Sequence, residues 1–260
     1  MEINNLKSAV LVVLFFIIGG ISSSYSQISR FSINEYVNSK GDILNYRLLT
    51  PDYDTISKYP LVIFLHGSGE RGNDNEAQLK WGVSNFATDR AMSLHPAFVL
   101  APQCPKNERW SNYDRKDTNR DLSLNPEPGK QMELLIELIH EFTEKHPVDK
   151  NRIYITGLSM GGYGTYDAIQ RYPDLFAAAV PVCGAGDSSK ANSIAHIPIW
   201  IFHGALDTAV NPLYSLNMVN ALIDAGSNPG FTQYPQVGHF SWLKAYSDPN
   251  MMSWLFRQHR

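Results

Sequence analysis

The chain has 260 residues, 43% of them hydrophobic and 18% charged, which provides for one sizeable core and bounds the domain count at one or two. A formal net charge of −3 and a pI near 6.2 exclude an electrostatic case for nucleic acid or an anionic membrane surface as partner. A small neutral or weakly charged partner is expected instead.

In chain order, Lys7 precedes an uncharged run from Ala9 to Ile21, followed by Ser22-Ser23-Ser24-Tyr25-Ser26. This is the order of a secretory signal, expected over residues 1–26 with cleavage after Ser26. Its thirteen apolar or glycine residues fall short of the roughly 20 that span a bilayer. The mature chain, 27–260, is expected to be a single soluble domain, secreted or periplasmic, without stable membrane insertion. Residues 31 to 50 alternate around Asn38-Ser39-Lys40-Gly41, which predicts a β-hairpin. Leu61-Val62-Ile63-Phe64-Leu65 is a continuous apolar run, as in a strand covered on both faces of a parallel sheet. It runs into His66-Gly67-Ser68-Gly69-Glu70-Arg71-Gly72.

Residues 75 to 92 read as helix and Ala97 to Ala101 as a short strand; Gln103 to Gly129 is polar, with one tryptophan, Trp110. Met132, Leu135, Ile136, Ile139 and Phe142 recur at helical spacing, giving an amphipathic helix. Ile153 to Thr156 predicts a strand, and Gly162 to Tyr172 a helix. Further strands are expected at Ala177–Val182, Ile197–Phe202 and Phe231–Tyr234, with helices around Leu216–Ile223 and Pro249–Gln258. Strands alternating with helices imply a mostly parallel, doubly wound sheet, whose ligands bind at the carboxyl ends of the strands.

Three polar residues fall just after strand ends. Ser159 lies at the apex of Gly157-Leu158-Ser159-Met160-Gly161, a strand-turn-helix elbow too tight for side chains at the flanking glycines. Asp207 and His239 follow at intervals of 48 and 32 residues. A serine hydroxyl needs a base to become a nucleophile, imidazole is that base near neutral pH, and a carboxylate orients the imidazole. Asp187 is the rival for the acid and is less favoured than Asp207. His66 and His203 are read as structural. His95, His140, His146, His196 and His259 are read as solvated. The N–H groups of Met160 and Ser68 are the expected donors to an oxyanion.

Gly67 to Gly72 also reads GxGxxG, with Asp89 about twenty residues on. The residues after it are turn formers rather than a helix start, so a dinucleotide site is disfavoured. No histidine or cysteine pair has metal-ligand spacing, and the serine chemistry needs neither cofactor nor metal. Cys104 and Cys183 follow separate strands and are expected as buried free thiols, although an exported protein could pair them.

Five motifs in order carry a family likeness: Leu65 to Gly72, Ala101-Pro102-Gln103-Cys104-Pro105, Gly157 to Gly162, Phe202-His203-Gly204 with Asp207, and Gly238-His239 with Ser241-Trp242. Over residues 35 to 258 the chain resembles secreted bacterial α/β-hydrolase esterases of the phospholipase/carboxylesterase-like and feruloyl-esterase-like kinds. These are related to carbohydrate esterase family one and to the catalytic domain of prolyl oligopeptidases. The resemblance implies an α/β-hydrolase fold, the triad Ser159, Asp207 and His239, and an oxyanion hole from Ser68 and Met160. Phe240 stands where related proteins often carry a polar residue, so the pocket beside the base is expected to be more apolar. Only about ten residues, Ser188 to Ile197, separate two strands, which argues against a large lid. The expectation is a serine esterase acting on small or polysaccharide-linked esters, such as acetyl or feruloyl esters of plant polysaccharide. A prolyl-oligopeptidase-type peptidase is the alternative. Trp110 and Trp242 are the residues expected to stack on an aromatic acyl group or sugar, with core packing as their competing role.

Overall fold

The computed structural model describes residues 27–52, 54, 56–116 and 121–260; the expected signal segment lies outside them. Among the described residues no helix is long and apolar enough to cross a membrane. The described residues form ten strands: β1 (Phe31–Val37), β2 (Ile43–Leu49), β3 (Tyr59–Leu65), β4 (Phe98–Pro102), β5 (Tyr113–Lys116), β6 (Asp121–Leu124), β7 (Val148–Leu158), β8 (Ala178–Val182), β9 (Trp200–Gly204) and β10 (Gly230–Tyr234). The helices are α1 (Asp89–Leu94), α2 (Lys130–Lys145), α3 (Met160–Arg171), α4 (Ala191–Ile194), α5 (Leu213–Asp224), α6 (Trp242–Ala245) and α7 (Pro249–Leu255).

Eight strands make one sheet in the order β1-β2-β4-β3-β7-β8-β9-β10. The run from β4 to β10 is parallel, whereas β2 pairs antiparallel with β1 and with β4. This is the α/β-hydrolase architecture. The chain steps outward from β3 to β4 and then returns to the other side of β3 with β7. The crevice at the carboxyl ends of β3 and β7 is therefore a topological switch point, the place where such sheets bind ligands.

Pleating explains the unbroken apolar run of β3. Leu61, Ile63 and Leu65 pack into one core with Leu135, Ile139 and Phe142 of α2 and Met218 and Leu222 of α5. Val62 and Phe64 point the opposite way, into a second core with Val83, Phe86, Tyr246 and Leu255. The apolar stripe read on α2 is buried in full.

The segment 75–92 departs from the expected helix. It forms 3₁₀ turns at Ala77–Leu79 and Val83–Ala87 before α1 begins at Asp89. Gly82, at φ 76°, breaks it, because a Cβ there would strike the ring of Tyr246. Thr88 then caps α1 by accepting from the Ala91 N–H. The apolar residues at near-helical spacing are buried regardless, which is why the pattern misleads. The polar stretch 103–129 carries the two-stranded β5–β6 ribbon. Buried acceptors hold its base: the Asp167 carboxylate takes the Asn112 N–H, and Asp187 takes the Leu124 N–H. His95 and His146 are half-buried rather than solvated, stacked on Phe256 and Phe142.

Both cysteines are free and buried. Cys104 follows β4 and Cys183 follows β8, and β3 and β7 lie between those strands. Burial pushes both thiols up to about 12, which suppresses the reactive thiolate. A disulfide reagent is expected to titrate two thiols in denaturant and none in the native protein. Rapid native labelling would show instead that the strand ends open.

Candidate active site

β7 ends at Leu158 and α3 begins at Met160, so Ser159 is the whole turn, at φ 52° and ψ −116°. A non-glycine residue held there costs on the order of 1–3 kcal/mol. Backbone packing enforces it. A Cβ on Gly157 would collide with the Gly161 carbonyl, and one on Gly161 with the Leu65 carbonyl at the end of β3. The Ser159 N–H is bonded to the Val182 carbonyl at 2.9 Å. The nucleophile's backbone is thus wedged between the ends of β3 and β8.

The turn after β9 carries the acid. Asp207 is buried, its Oδ1 accepting the Ala209 and Val210 N–H groups at 2.9 Å each. That leaves Oδ2 to face His239 Nδ1 at 2.8 Å, while His239 Nε2 lies 2.9 Å from Ser159 Oγ. Nδ1 donates to the carboxylate, so Nε2 is free to accept the serine proton. The Ala205 and Leu206 N–H groups donate to the Tyr234 and Val237 carbonyls, locking the acid turn to the loop that carries the base. Sequence reading placed all three residues, and the structure brings them together.

The rivals have other tasks. Asp187 accepts the Leu124 N–H and both the N–H and hydroxyl of Ser189, anchoring β6. His203 is buried behind Asp207, with Nε2 3.0 Å from the Val210 carbonyl and Nδ1 2.7 Å from Ser215 Oγ; burial lowers its pKa. Cys183, Asp207 and His239 have potential ligand atoms within 4.8 Å of one another. The buried thiol stays protonated near neutral pH and the other two are already paired, so this set does not fit a resident metal.

Opposite the elbow, Leu65 pairs with Gly157 and sets the following loop beside Ser159. Ser68 is exposed and opens a 3₁₀ turn, Ser68–Glu70. Met160 is the first residue of α3, so its N–H has no preceding helical turn to bond. These are the two groups expected to receive an oxyanion. His66 fixes the loop from behind: Nδ1 donates to the Gly67 carbonyl at 2.6 Å and Nε2 accepts the Cys104 N–H at 2.9 Å. Gln103 donates to the Glu70 carbonyl, and the Gly72 N–H to that of Cys104. The Ala101–Pro105 motif is therefore the buttress of the loop from His66 to Gly72.

Two expectations are corrected. Trp110 is wholly buried, with Nε1 bonded to the His66 carbonyl at 3.2 Å and its ring edge-on to the His66 imidazole. It supports the loop and cannot stack on a substrate. Trp242 is only 5% exposed and packs edge-on against His239, 5.1 Å between centroids; it braces the base. Sequence reading missed Glu70 and Trp81. Glu70 is a buried carboxyl inside the loop, pushed up by burial against the pull of Lys80 and of donors on Trp81 and the Gly67 backbone. Trp81 stands beside Phe240 and Trp242. No local signal set Glu70 apart, since Arg71 is charged too and the residues that follow are polar turn formers.

Burial lowers His66 to about 4, below the roughly 6.5 of an unfolded histidine. The unfolded chain then binds the extra proton between those values, so stability from this site is present above about pH 6.5 and is lost as pH falls toward 4. Denaturant unfolding at pH 7 and pH 5 should show this site contributing a loss of about 2 kcal/mol. His66→Gln should flatten that part of the pH dependence; an unchanged slope would contradict a buried neutral imidazole.

Residues 55–249 match the protein family described as phospholipase/carboxylesterase. Among solved structures, a thermostable esterase superposes with a TM-score of 0.82 at 41% identity, over 90% of this chain and 64% of that one. A ferulic acid esterase superposes with a TM-score of 0.65 over 87% of this chain and 98% of that chain; at 17% identity it speaks to the fold alone. A bifunctional acetylxylan esterase/xylanase of Neocallimastix patriciarum is 22% identical over 180 residues, 69% of this chain. The chain spans about a quarter of that relative's length, the matched share being 24%.

Proposed function

The chain belongs to the phospholipase/carboxylesterase family, and on that premise we propose that it is a serine carboxylic-ester hydrolase working through an acyl-enzyme. The observation that carries the reading is the unbroken line Ser159 Oγ, His239 Nε2, His239 Nδ1, Asp207 Oδ2, with spacings of 2.9 and 2.8 Å across its two hydrogen bonds. Ser159 Oγ attacks the ester carbonyl as its proton passes to His239 Nε2, and Asp207 stabilises the imidazolium. The carbonyl oxygen becomes an oxyanion facing the N–H groups of Met160 and Ser68. Collapse breaks the ester C–O bond, and the imidazolium gives its proton to the departing alkoxide. Water, activated by His239, then attacks the acyl-enzyme and releases the acid and the free serine.

The substrate class follows from access. The link from β8 to β9 holds a 3₁₀ turn and the four-residue α4, so no large lid is inserted there. An open site suits esters borne on bulky or polymeric alcohols. The acetylxylan esterase/xylanase likeness supports acetyl esters of plant polysaccharide; feruloyl esters of the same polymers belong to the same proposal, with action after export to the periplasm or medium.

Ser159→Ala should lower kcat on p-nitrophenyl acetate by roughly 10⁴- to 10⁶-fold, and Asp207→Asn by about 10⁴-fold, with the fold retained by circular dichroism. Asp187→Asn should cost stability while keeping kcat within about tenfold, since it acts through the β5–β6 anchor. Equal catalytic damage from both aspartates would overturn the assignment of the acid. Strong turnover of an anilide matched to the ester would move the reading to a peptidase.

A further inference from the structure

We propose that Trp81 and Phe240 form an aromatic wall that binds the alcohol half of the ester, selecting alcohols that present a flat apolar face. The proposal rests on the ester-hydrolase reading above. Phe240 directly follows the base and is 55% exposed, and it is joined to two further aromatic rings rather than standing alone. Its ring lies 4.7 Å from that of Trp242 and 6.2 Å, edge-on, from that of Trp81. Trp242 is in turn 5.1 Å from the His239 imidazole. The three aromatic side chains make a continuous surface leading away from the base; the inner one is buried and the outer two reach solvent.

The wall is built rather than incidental. Gly82, at φ 76° and packed on the ring of Tyr246, sets the turn that presents Trp81. Glu70, the buried carboxyl of that loop, lies close enough to Trp81 and to the Gly67 backbone for both to oppose the rise that burial gives its pKa. Lys80 Nζ stands 5.1 Å from the Trp81 ring centroid. Trp81 thus spans from the oxyanion side of the site to the base side.

The direction of the chemistry selects which half of the substrate meets the wall. The leaving oxygen must come within hydrogen-bond reach of His239 Nε2 to receive its proton. The carbonyl oxygen is meanwhile turned toward Met160 and Ser68. On this proposal the carbon skeleton attached to the leaving oxygen runs along Phe240, the exposed residue next to the base. A ring face there gains apolar burial and stacking that an aliphatic chain cannot match. An aryl ring and the C–H face of a pyranose share that chemistry.

The test compares kcat/KM for benzyl acetate, an O-acetylated methyl xyloside and ethyl acetate in the wild type and in Phe240→Ala, a surface change that spares the core. Trp81→Leu serves as a second variant, its folding checked by thermal melting. Methyl phenylacetate against methyl propionate reports the acyl side. The benzyl-to-ethyl ratio, the xyloside-to-ethyl ratio or both should fall about tenfold in Phe240→Ala, mainly through KM, as for loss of an apolar contact. Which ratio falls identifies the aryl or the sugar alcohol. Unchanged ratios, or a fall confined to the acyl-side pair, would overturn the proposal. Labelling of Ser159 by a fluorophosphonate and turnover of p-nitrophenyl acetate report separately on the ester-hydrolase reading. Should those fail, saturation-transfer NMR on the Ser159→Ala protein still tests the wall, with benzyl alcohol but not ethanol binding and the signal lost on Phe240→Ala; no benzyl alcohol signal would refute it.

Discussion

The approach of the Gly161 backbone to the Leu65 carbonyl is the constraint on which the site depends. No side chain fits between the start of α3 and the end of β3, so helix, nucleophile turn and oxyanion loop are held at backbone distance. The same contact keeps Ser159 at a positive φ that an isolated turn would abandon. The sheet meets the cost: β3 and β7 are in register through Leu65 and Gly157, and the β3 residues from Leu61 to Leu65 are buried on both faces. Strain at the nucleophile is thereby offset by apolar burial spread over two cores.

Around that point, buried polar groups set the positions that packing alone leaves open. Asp207 has one carboxylate oxygen saturated by two backbone N–H groups, so only the other can turn to the base. His66 performs a similar task for the oxyanion loop, joining β3's end to the strand-end segment at Cys104. Its neutral imidazole can donate and accept at once, which neither a lysine nor a carboxylate could do there. Asp167 and Asp187 repeat the principle for the β5–β6 ribbon. Each of these side chains spends at least part of its hydrogen-bonding capacity on backbone groups of the loops it positions.

The two tryptophans show where reading the chain in one dimension misassigns a role. Trp110 sits in a polar stretch, and Trp242 lies three residues after the base; both positions suggest contact with a substrate. In three dimensions the polar stretch folds back over α3, as the close approach of Trp110 to Gly164 shows, and Trp110 becomes the floor under His66. Trp242 opens the short helix α6 and turns inward. Trp81 comes from a segment whose apolar spacing reads as plain helix, and a positive-φ glycine brings it to the rim of the site.

Periodicity, strand-end glycines and the chain order of serine, aspartate and histidine determined the α/β class, the switch-point location, and Ser159 and His239 of the candidate triad, with Asp207 favoured over Asp187. Those features are local, because period-2 and helical burial, turn conformations and strand-to-loop junctions depend on neighbours in the chain. Tertiary structure decided which aromatic side chains face solvent, which aspartate aims at the base and how the oxyanion loop is braced. Those outcomes turn on contacts between segments far apart in sequence, such as Trp110 with His66, Cys104 with His66 and Gly82 with Tyr246. A side chain's orientation there is set by the partner that satisfies or blocks it, and that partner is not encoded in the residue's own neighbourhood.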